Sequence, residues 1–410
     1  MIPILSSKCF ARLLISLMGL VFLTGFEYKE SETFEEVLER APEPPPGVSP
    51  PPLPQQPMIY ETAEGMDIEV RVIARGLNHP WGLASLPDGN LLVTERNSGQ
   101  LRVIRNGVLD PEPVKGLPEI KVEGFSGLND VLLHPDFANN HLVYLTYLKP
   151  LDDENAAMAV LRGAWDGQAI QNAEDVFVSE AGVGGASRLL FDRDGMLYVS
   201  FYGSLMDSQN PNKVTGKILR LTDSGKVPQD NPFVNSSDMR PEIYTLGHRT
   251  PQGLALHPGT GEIWNVEMGP NGGDEINILK PGANYGWPMV SLGRDYAGEW
   301  QGVLQKEGFE DPVIYWMPAI SVSGLVFYTG DKLPGWKGDL FVGGLRMGQI
   351  PGTGQINRIR FNKLGQEVQR ESLLTDLRYR MRGVYQGVDG YLYVLTDEDE
   401  GAVLRIGPAE

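Results

Sequence analysis

The chain has 410 residues, and its 53 acidic side chains outnumber its 35 basic side chains, which gives a formal net charge of −18. Hydrophobic residues make up 41% of the chain, enough for a large core, so a wholly disordered protein is excluded. The acidic balance argues against binding to a nucleic-acid backbone or an anionic membrane surface, and no nucleic-acid partner is expected.

Residues 1–26 predict a targeting signal rather than part of the fold. Lys8 and Arg12 precede an apolar run at 13–26, as in a secretory signal peptide. The run is short for a membrane span, which needs about 20 apolar residues. No clear cleavage motif follows it, so a signal anchor that tethers the protein to a membrane stays open. Cys9, the only cysteine, precedes the run, so a processed chain contains no disulfide.

Residues 27–57 predict a linker. A charged stretch is followed by the proline-rich sequence APEPPPGVSPPPLPQQP at 41–57. Repeated prolines remove backbone donors and favour an extended polyproline II conformation. We therefore expect a semi-rigid spacer, with a ligand for a proline-recognition module as the alternative.

From residue 58 to residue 410 the chain repeats one pattern six times. Each copy has an apolar strand that ends at a turn, a second strand of alternating residues, and a third strand after a loop. The copies begin with PWGLASLPDGNLLVTER at 80, GLNDVLLHPDF at 127, SRLLFDRDGMLYVSFYG at 187, QGLALHPGTGEIWNVEMG at 252, SGLVFYTGDKLPGWKGDLFVGGL at 323 and RGVYQGVDGYLYVLTDE at 382.

Turn chemistry and repeat length indicate the fold. Three copies carry an Asp-Gly pair between their first two strands, at 88–89, 194–195 and 389–390, and glycine with positive φ favours tight hairpins there. Six copies over about 350 residues leave roughly 59 residues each, the length of a propeller blade. The sequence therefore predicts an all-β fold, a six-bladed β-propeller, closed by a strand at 67–73 that joins the last blade.

Loops at the mouth of the central channel are the places to look for function. Arg249, in GHRTPQG, precedes an inner strand, where its guanidinium faces the axis unless it forms an ordinary surface salt bridge. The loop EMGPNGGDE contains the pair Gly269 and Pro270. A Gly-Pro loop exposes carbonyl oxygens of the kind that bind calcium, with an ordinary hairpin loop as the alternative.

Arg380 and Arg382 lie two residues apart on an extended segment, so both side chains point to one side. Two guanidinium groups facing one way repel each other unless an anion lies between them. With Arg249 and Arg346 they would form a pocket for a polycarboxylate, and separate pairing with acidic side chains is the alternative.

Other chemistries find little support in the sequence. There is no G-x-S-x-G, H-E-x-x-H or P-loop motif, and no Cys/His metal cluster. Three of the five histidines, His79, His134 and His257, directly precede prolines at strand starts or turns. We expect structural roles for these three.

The motifs together resemble the soluble PQQ-dependent aldose sugar dehydrogenases of the glucose/sorbosone dehydrogenase family. The resemblance spans nearly all of residues 70–407 and is carried by PWGLASLPDGNLLVTER, GLNDVLLHPDF, GHRTPQGLALHP, GGDEINILKPGANYGWP, GDLFVGGL and DGYLYVLTDE. It implies a six-bladed propeller, exported to the periplasm, that holds pyrroloquinoline quinone (PQQ) and calcium at the channel mouth. A small-molecule sugar would be the substrate, and a separate electron acceptor would reoxidise the cofactor.

The resemblance also implies which residues bind. The cofactor-binding set would be Arg249, Thr250, Arg346, Arg380 and Arg382, and the calcium-binding set would be the carbonyl groups of Gly269 and Pro270. Thr250 departs from the family, which has asparagine there. In such a site the arginines neutralise the carboxylates of the quinone, and calcium polarises its reactive carbonyl as a Lewis acid.

One part of the family pattern is missing. The family has a histidine that abstracts the sugar hydroxyl proton, and Gly184 stands in its place. The carboxylate that orients this histidine is replaced by Gly203. Because both halves of the general base are absent together, the difference indicates a real change of the site. Asp207 is the nearest downstream carboxylate and the candidate substitute.

Three functions stay open at this point. The first is PQQ- and calcium-dependent oxidation of aldose sugars, which we favour at the family level. The second is a degenerate member that binds PQQ or sugar without efficient catalysis. The third is a calcium-dependent, lactonase-type hydrolase, which has no motif of its own in this sequence. The retained arginines favour a bound anion, whereas the missing base argues against oxidation.

Overall fold

The computed structural model describes residues 50–205, 207–294, 296 and 302–409. The predicted signal segment, Cys9 and the first part of the predicted linker lie outside these ranges. Over the ranges described, no helix is long and apolar enough to cross a membrane.

The first half of the described chain forms two leading strands and three blades. The leading strands are β1 (Met58–Tyr60) and β2 (Ile68–Leu77). Blade 1 consists of β3 (Pro80–Ser85), β4 (Leu91–Glu95), β5 (Gln100–Arg105) and β6 (Val108–Leu109). Blade 2 consists of β7 (Leu128–Leu133), a one-turn helix α1 (Phe137–Asn140), β8 (Leu142–Pro150), β9 (Ala156–Trp165) and β10 (Ile170–Val178). Blade 3 consists of β11 (Leu189–Phe191), β12 (Leu197–Ser200), β13 (Lys217–Leu221) and β14 (Ile243–Leu246).

The second half forms three more blades. Blade 4 consists of β15 (Pro251–Leu256), β16 (Ile263–Glu267), β17 (Asp274–Ile278) and β18 (Ile314–Trp316). Blade 5 consists of β19 (Val322–Phe327), a 3₁₀ turn (Pro334–Trp336), β20 (Leu340–Gly344), β21 (Gln355–Phe361) and β22 (Glu367–Leu373). Blade 6 follows a second 3₁₀ turn (Thr375–Leu377) and contributes β23 (Met381–Gln386), β24 (Leu392–Thr396) and β25 (Gly401–Pro408).

The last sheet closes the ring. Its strand order is β23-β24-β25-β2-β1, so strands from both ends of the propeller share one blade. Arg71 of β2 lies opposite Arg405 of β25 in an antiparallel ladder. The predicted strand at 67–73 is therefore confirmed, and it continues to Leu77. The six-bladed β-propeller is confirmed as well.

Apolar alternation and hairpin turns explain these elements. Gly89, Gly195 and Gly390 have φ of +84°, +76° and +80°, as their Asp-Gly turns require. Strands of neighbouring blades pack face to face; Leu92 of blade 1 and Leu145 of blade 2, for example, are both fully buried in one cluster. Burying one such side chain contributes about 1.5–3 kcal/mol, and the clusters between blades together stabilise the ring.

The antiparallel hairpins bring the predicted site residues to one face. In each blade the first strand begins, and the second strand ends, at the same edge of the sheet. Arg249 precedes β15 and Arg380 precedes β23, whereas Arg346 follows β20 and Met268 follows β16. Residues from blades 4, 5 and 6 therefore meet around one mouth of the central channel.

The end of the predicted linker lies against the propeller. Within residues 50–57, Leu53 is only 8% exposed and packs in the core cluster between blades 5 and 6. The hydroxyl of Tyr379 donates a hydrogen bond of 3.1 Å to the carbonyl of Pro51. This part of the linker therefore contributes to the packing of the folded unit.

Candidate active site

Arg380 and Arg382 converge on one carboxylate. Arg382 donates through Nη2 to Oδ2 of Asp397, and Nη2 of Arg380 lies 3.4 Å from the same oxygen. Asp397 directly follows β24, so the hairpin places it beside the start of β23, where the two arginines lie. The sequence correctly predicted that both side chains point to one side, but it did not identify Asp397.

A third arginine belongs to this group. Arg96 follows β4 of blade 1, and its Cζ lies 5.4 Å from the ring centroid of Trp81. The Cζ of Arg382 lies 4.1 Å from the same ring. Arg96 and Arg382 are 5% and 1% exposed. Sequence reasoning missed Arg96. Its position after the second strand of blade 1 could have indicated it, because Arg346 likewise follows the second strand of blade 5.

We call Arg96, Arg346, Arg380 and Arg382 the arginine cluster. Burial lowers the pKa of Arg382 to about 10, and burial also lowers the pKa of Arg96 and of Arg346, with the charge of Arg380 adding to each effect. Although burial raises the pKa of Asp397, the charge of Arg382 and a hydrogen bond to His79 hold it well below its usual range. The mouth therefore keeps more positive charge than Asp397 can balance, which suits an anionic ligand.

Several buried donors at the mouth have no partner. Nη1 of Arg96, Nη2 of Arg188 and Nε of Arg382 make no hydrogen bond within the part of the chain that the structure describes. Arg188 belongs to the same region, because its Cζ lies 5.2 Å from the Trp81 ring. An unpaired buried donor costs about 1–3 kcal/mol. These atoms point to a ligand with several hydrogen-bond acceptors.

Gln252 ties three blades together beneath this group. Its backbone carbonyl accepts a hydrogen bond of 2.7 Å from Nε of Arg188, and its Oε1 accepts one of 3.2 Å from Nη1 of Arg382. Arg188 also pairs with Asp130 at 3.2 Å. The guanidinium groups are therefore held by the fold before any ligand binds.

Arg249 contacts the loop predicted to bind calcium. Its Nη1 donates to the carbonyl of Gly269 at 2.8 Å and to that of Met268 at 3.1 Å, and its Cζ lies 5.2 Å from the Trp287 ring. Its backbone N–H donates to Glu267 at 3.1 Å. The Gly269 carbonyl thus faces a cationic group, as a calcium ligand would.

Asp274 holds the Gly269–Pro270 loop in place. Its Oδ1 accepts the N–H of Gly269 at 3.0 Å, and its Oδ2 accepts the N–H groups of Ile320 and Val322 at 2.9 and 3.0 Å. Burial raises the pKa of Asp274 to about 6. No group of three or more His, Cys, Asp or Glu side chains forms a metal cluster among the residues described. The Gly269 carbonyl is an oxygen of this loop that already accepts a cationic group.

Thr250 lies beside Arg249. Its side chain is buried, and its Oγ1 lies 3.4 Å from Nη1 of Arg249. Its backbone carbonyl accepts the N–H of Met268 at 3.0 Å. Thr250 thus joins the beginning of β15 to the end of β16, where an asparagine side chain would reach further into the mouth.

The blade 3 side of the mouth lacks a histidine and its carboxylate. A Cβ atom at Gly184 would lie 2.8 Å from the Ser126 hydroxyl, a side-chain contact, and that hydroxyl also accepts the N–H of Gly185. A Cβ atom at Gly203 would lie 2.1 Å from the carbonyl oxygen of His248 and 2.8 Å from that of Arg249. Because both of the latter contacts are to backbone, Gly203 has no room for a carboxylate side chain.

Asp207 is bound into its own loop. Its carbonyl accepts a hydrogen bond of 2.6 Å from Nζ of the buried Lys217, and its backbone N–H donates to the Ser204 hydroxyl at 3.0 Å. Burial lowers the pKa of Lys217 to about 8, and the charge of Asp207 opposes that effect. The charge of Asp207 therefore acts on Lys217, while the hydrogen bond between the two residues is made by the Asp207 carbonyl.

The fold and the mouth define a six-bladed propeller with buried arginines at one end of its channel. A sequence model of the Glucose / Sorbosone dehydrogenase family matches residues 77–405, and the chain belongs to this family. The aldose sugar dehydrogenase YliI of Escherichia coli is 38% identical over 354 residues, which covers 83% of this chain and 93% of YliI.

Solved structures agree with this assignment. The apo-form of the soluble aldose sugar dehydrogenase from Escherichia coli superimposes with a TM-score of 0.78 at 37% identity, and the match covers 83% of this chain and 100% of that one. The PQQ-bound aldose sugar dehydrogenase from Streptomyces coelicolor has a TM-score of 0.66 at 27% identity, with 87% and 100% of the two chains covered. The resemblance read from the motifs is therefore confirmed at the level of the family.

Proposed function

We propose that this protein oxidises aldose sugars with PQQ as the cofactor and calcium as the metal. The observation that carries the proposal is the arginine cluster, with buried donors that lack partners in the described chain. PQQ is a flat molecule with three carboxyl groups, and guanidinium groups recognise carboxylates through charge-assisted hydrogen bonds. A relative that is known in a PQQ-bound form supports the choice of this anion.

The residues present fit both groups. Arg96, Arg380 and Arg382 would hold the carboxylates of PQQ. The carbonyls of Gly269 and Pro270 would bind calcium, since the Gly269 carbonyl already accepts a cationic group at 2.8 Å and calcium prefers oxygen ligands. When bound, PQQ accepts hydride from the sugar, and calcium polarises its reactive carbonyl.

Arg346, Arg249 and Thr250 complete the proposed cofactor site. Burial lowers the pKa of Arg346, and Arg380 is close enough for its charge to lower that pKa further. Arg249 lies between the carbonyl of Gly269 and the ring of Trp287. Its guanidinium would move from the carbonyl to the ligand when calcium binds.

A specific observation favours a second function, that of a protein which binds PQQ or sugar without efficient turnover. The backbone contacts at Gly203 exclude the carboxylate that would orient a base, and Gly184 supplies no imidazole. General bases typically contribute 10²–10⁴-fold to a rate. Without one, oxidation would be slow even with PQQ in place.

A dye-reduction assay with aldoses, PQQ and calcium separates the two functions. Turnover that depends on all three components supports the dehydrogenase. Tight PQQ binding without dye reduction supports the binding protein. If PQQ does not bind, both proposals are wrong. The Arg382→Met variant serves as the control, because dye reduction that persists in it does not involve the channel mouth.

We also propose that the protein is exported to the periplasm, with residues 1–26 acting as a signal peptide or as an anchor. The basic residues and the apolar run of this segment support the proposal. Fractionation of cells that express the full chain would test it. The protein should appear in the periplasmic or membrane fraction, and deletion of 1–26 should retain it in the cytoplasm.

A further inference from the structure

His79 connects blade 1 to the carboxylate that holds the arginine cluster. Its ring Nδ1 lies 2.7 Å from Oδ1 of Asp397, and its Nε2 lies 2.9 Å from Oδ1 of Asp399. Its backbone N–H donates to the carbonyl of Glu398 at 2.9 Å, and its carbonyl accepts the N–H of Arg96 at 3.1 Å. Four hydrogen bonds therefore fix this residue between blades 6 and 1.

The backbone at His79 is unusual. Its φ is +46°, a left-handed conformation that few residues other than glycine adopt. Such conformations persist where surrounding contacts hold them, often at functional sites. The other two histidines that precede prolines differ, because His134 and His257 follow the ends of β7 and β15, away from the mouth. Of these three histidines, His79 is therefore the one that lies beside the mouth.

The two carboxylates favour the charged form of His79. Each ring nitrogen faces a carboxylate oxygen, which is an acceptor, and only the imidazolium can donate from both nitrogens at once. The hydrogen bond to Asp397 raises the pKa of His79, with burial opposing it. Both nitrogens are engaged, so this histidine is not arranged as a general base.

The charged groups around His79 come from three segments. The loop after β24 contributes Asp397, Glu398 and Asp399, and the loop after β4 contributes Arg96. Arg380 and Arg382, at the start of β23, are connected to His79 through Asp397. In addition, Glu95 accepts the backbone N–H of the neighbouring Asn78 at 3.0 Å.

We propose that His79 is a positioning residue of the anion site and that its imidazolium makes anion binding pH-dependent. It holds Asp397, and through Asp397 it orients Arg380 and Arg382. Below its pKa it also adds one positive charge to the mouth. When the ring loses its proton, it loses one of its two carboxylate bonds and that charge, so anion affinity falls as the pH rises. The identity of the anion as PQQ rests on the proposed function, whereas the role of His79 does not.

Calorimetric titration at a series of pH values tests this inference. The probes are PQQ with calcium and, independently, trimellitate, a flat benzenetricarboxylate. The affinity of the wild-type protein for either probe should fall about tenfold from about pH 5 to about pH 9. A fall of this size corresponds to a rise of about one unit in the pKa of one group when the anion binds. Arginine does not titrate in this range.

Three variants identify the titrating group. In His79→Asn the asparagine tolerates positive φ and still donates to Asp397, but it does not titrate. Its affinity should stay near the high-pH value of the wild type at every pH. Asp399→Asn removes a carboxylate that is 90% exposed; it should move the midpoint of the profile to lower pH and leave the highest affinity unchanged. His257→Asn is the matched control and should keep the wild-type profile.

Each outcome decides a separate point. A tenfold profile that survives in His79→Asn would overturn the inference, and so would an unmoved midpoint in Asp399→Asn. Should His79→Asn fail to fold, the Asp399→Asn midpoint alone decides. If trimellitate follows the predicted profile but PQQ does not bind, the proposed function is wrong and the role of His79 stands. If neither probe binds the wild type, both are wrong.

Discussion

The two sides of the channel mouth differ in how far they keep the family pattern. On the side of blades 6 and 1, Arg380 and Arg382 contact Asp397, and Arg96 and Arg382 lie over Trp81. Buried donors of Arg96 and Arg382 have no partner within the described chain. On the side of blade 3, glycine occupies both places of the general base, 184 and 203. The residues proposed to hold an anion and the positions predicted for a general base lie on different blades, so one set can change while the other persists.

Backbone contacts hold the blade 3 side of the mouth in a form that has glycine at position 203. The N–H of Gly203 donates to the carbonyl of Arg249 at 2.5 Å, and the carbonyl of His248 packs against Gly203. The loop predicted to carry the orienting carboxylate therefore supports the backbone of Arg249, a residue of the proposed cofactor site. The packing of this loop against the backbone of blade 4 therefore requires glycine at position 203.

The largest expected effect is on the arginine side. Arg382→Met removes a buried charge and leaves Asp397 without its shortest partner, so PQQ affinity should fall at least about 100-fold, or about 3 kcal/mol. Fluorescence titration with PQQ measures this. The control is Arg358→Met, which removes an equally buried arginine paired with Asp339 and Glu371 in blade 5. Equal losses in both variants would mean that Arg382 acts only through stability.

The next effect tests the blade 3 side. Gly203→Asp forces a Cβ into two backbone carbonyls and should destabilise the protein by about 3 kcal/mol. Gly184→His meets only the Ser126 hydroxyl, which accepts the N–H of Gly185, so it should cost less, about 1–2 kcal/mol. Urea unfolding of both variants gives the two values. If Gly203→Asp is as stable as the wild type, the loop can accommodate the family carboxylate, and the contrast between the two sides is wrong.

Calcium should act on PQQ binding more than on the protein alone. The Gly269–Pro270 loop offers carbonyl oxygens rather than carboxylates, so calcium without PQQ should raise Tm by less than about 1 °C. Removal of calcium by a chelator should weaken PQQ binding about tenfold, a usual size for coupling between two ligands. Thermal scans and titrations with and without chelator test both statements. Strong stabilisation by calcium alone would place its site elsewhere.

The smallest expected effect is at Asp207. Because its carboxylate interacts with Lys217, Asp207→Asn should change turnover by less than about threefold, far below the 10²–10⁴-fold that a general base contributes. Steady-state dye reduction over a range of aldose concentrations measures this. A loss of 100-fold in kcat with KM unchanged would instead identify Asp207 as the substitute base.

The sequence predicted the parts of this molecule that depend on local pattern. Alternation and Asp-Gly turns predict the blades, and the two-residue spacing of Arg380 and Arg382 predicts that their side chains point the same way. It could not predict contacts across the seam where the ring closes. His79 and Asp397 are 318 residues apart. The role of Arg96 becomes visible only when blade 1 is placed beside blade 6. The crowding at Gly203 likewise comes from the backbone of the next blade.

A titration of the purified protein with PQQ in the presence of calcium tests the central claim most directly. Fluorescence or absorbance should show one PQQ bound per chain, with an affinity that Arg382→Met reduces at least about 100-fold. A protein that binds no PQQ, or binds it equally well without Arg382, would contradict the assignment of the arginine cluster as the cofactor site.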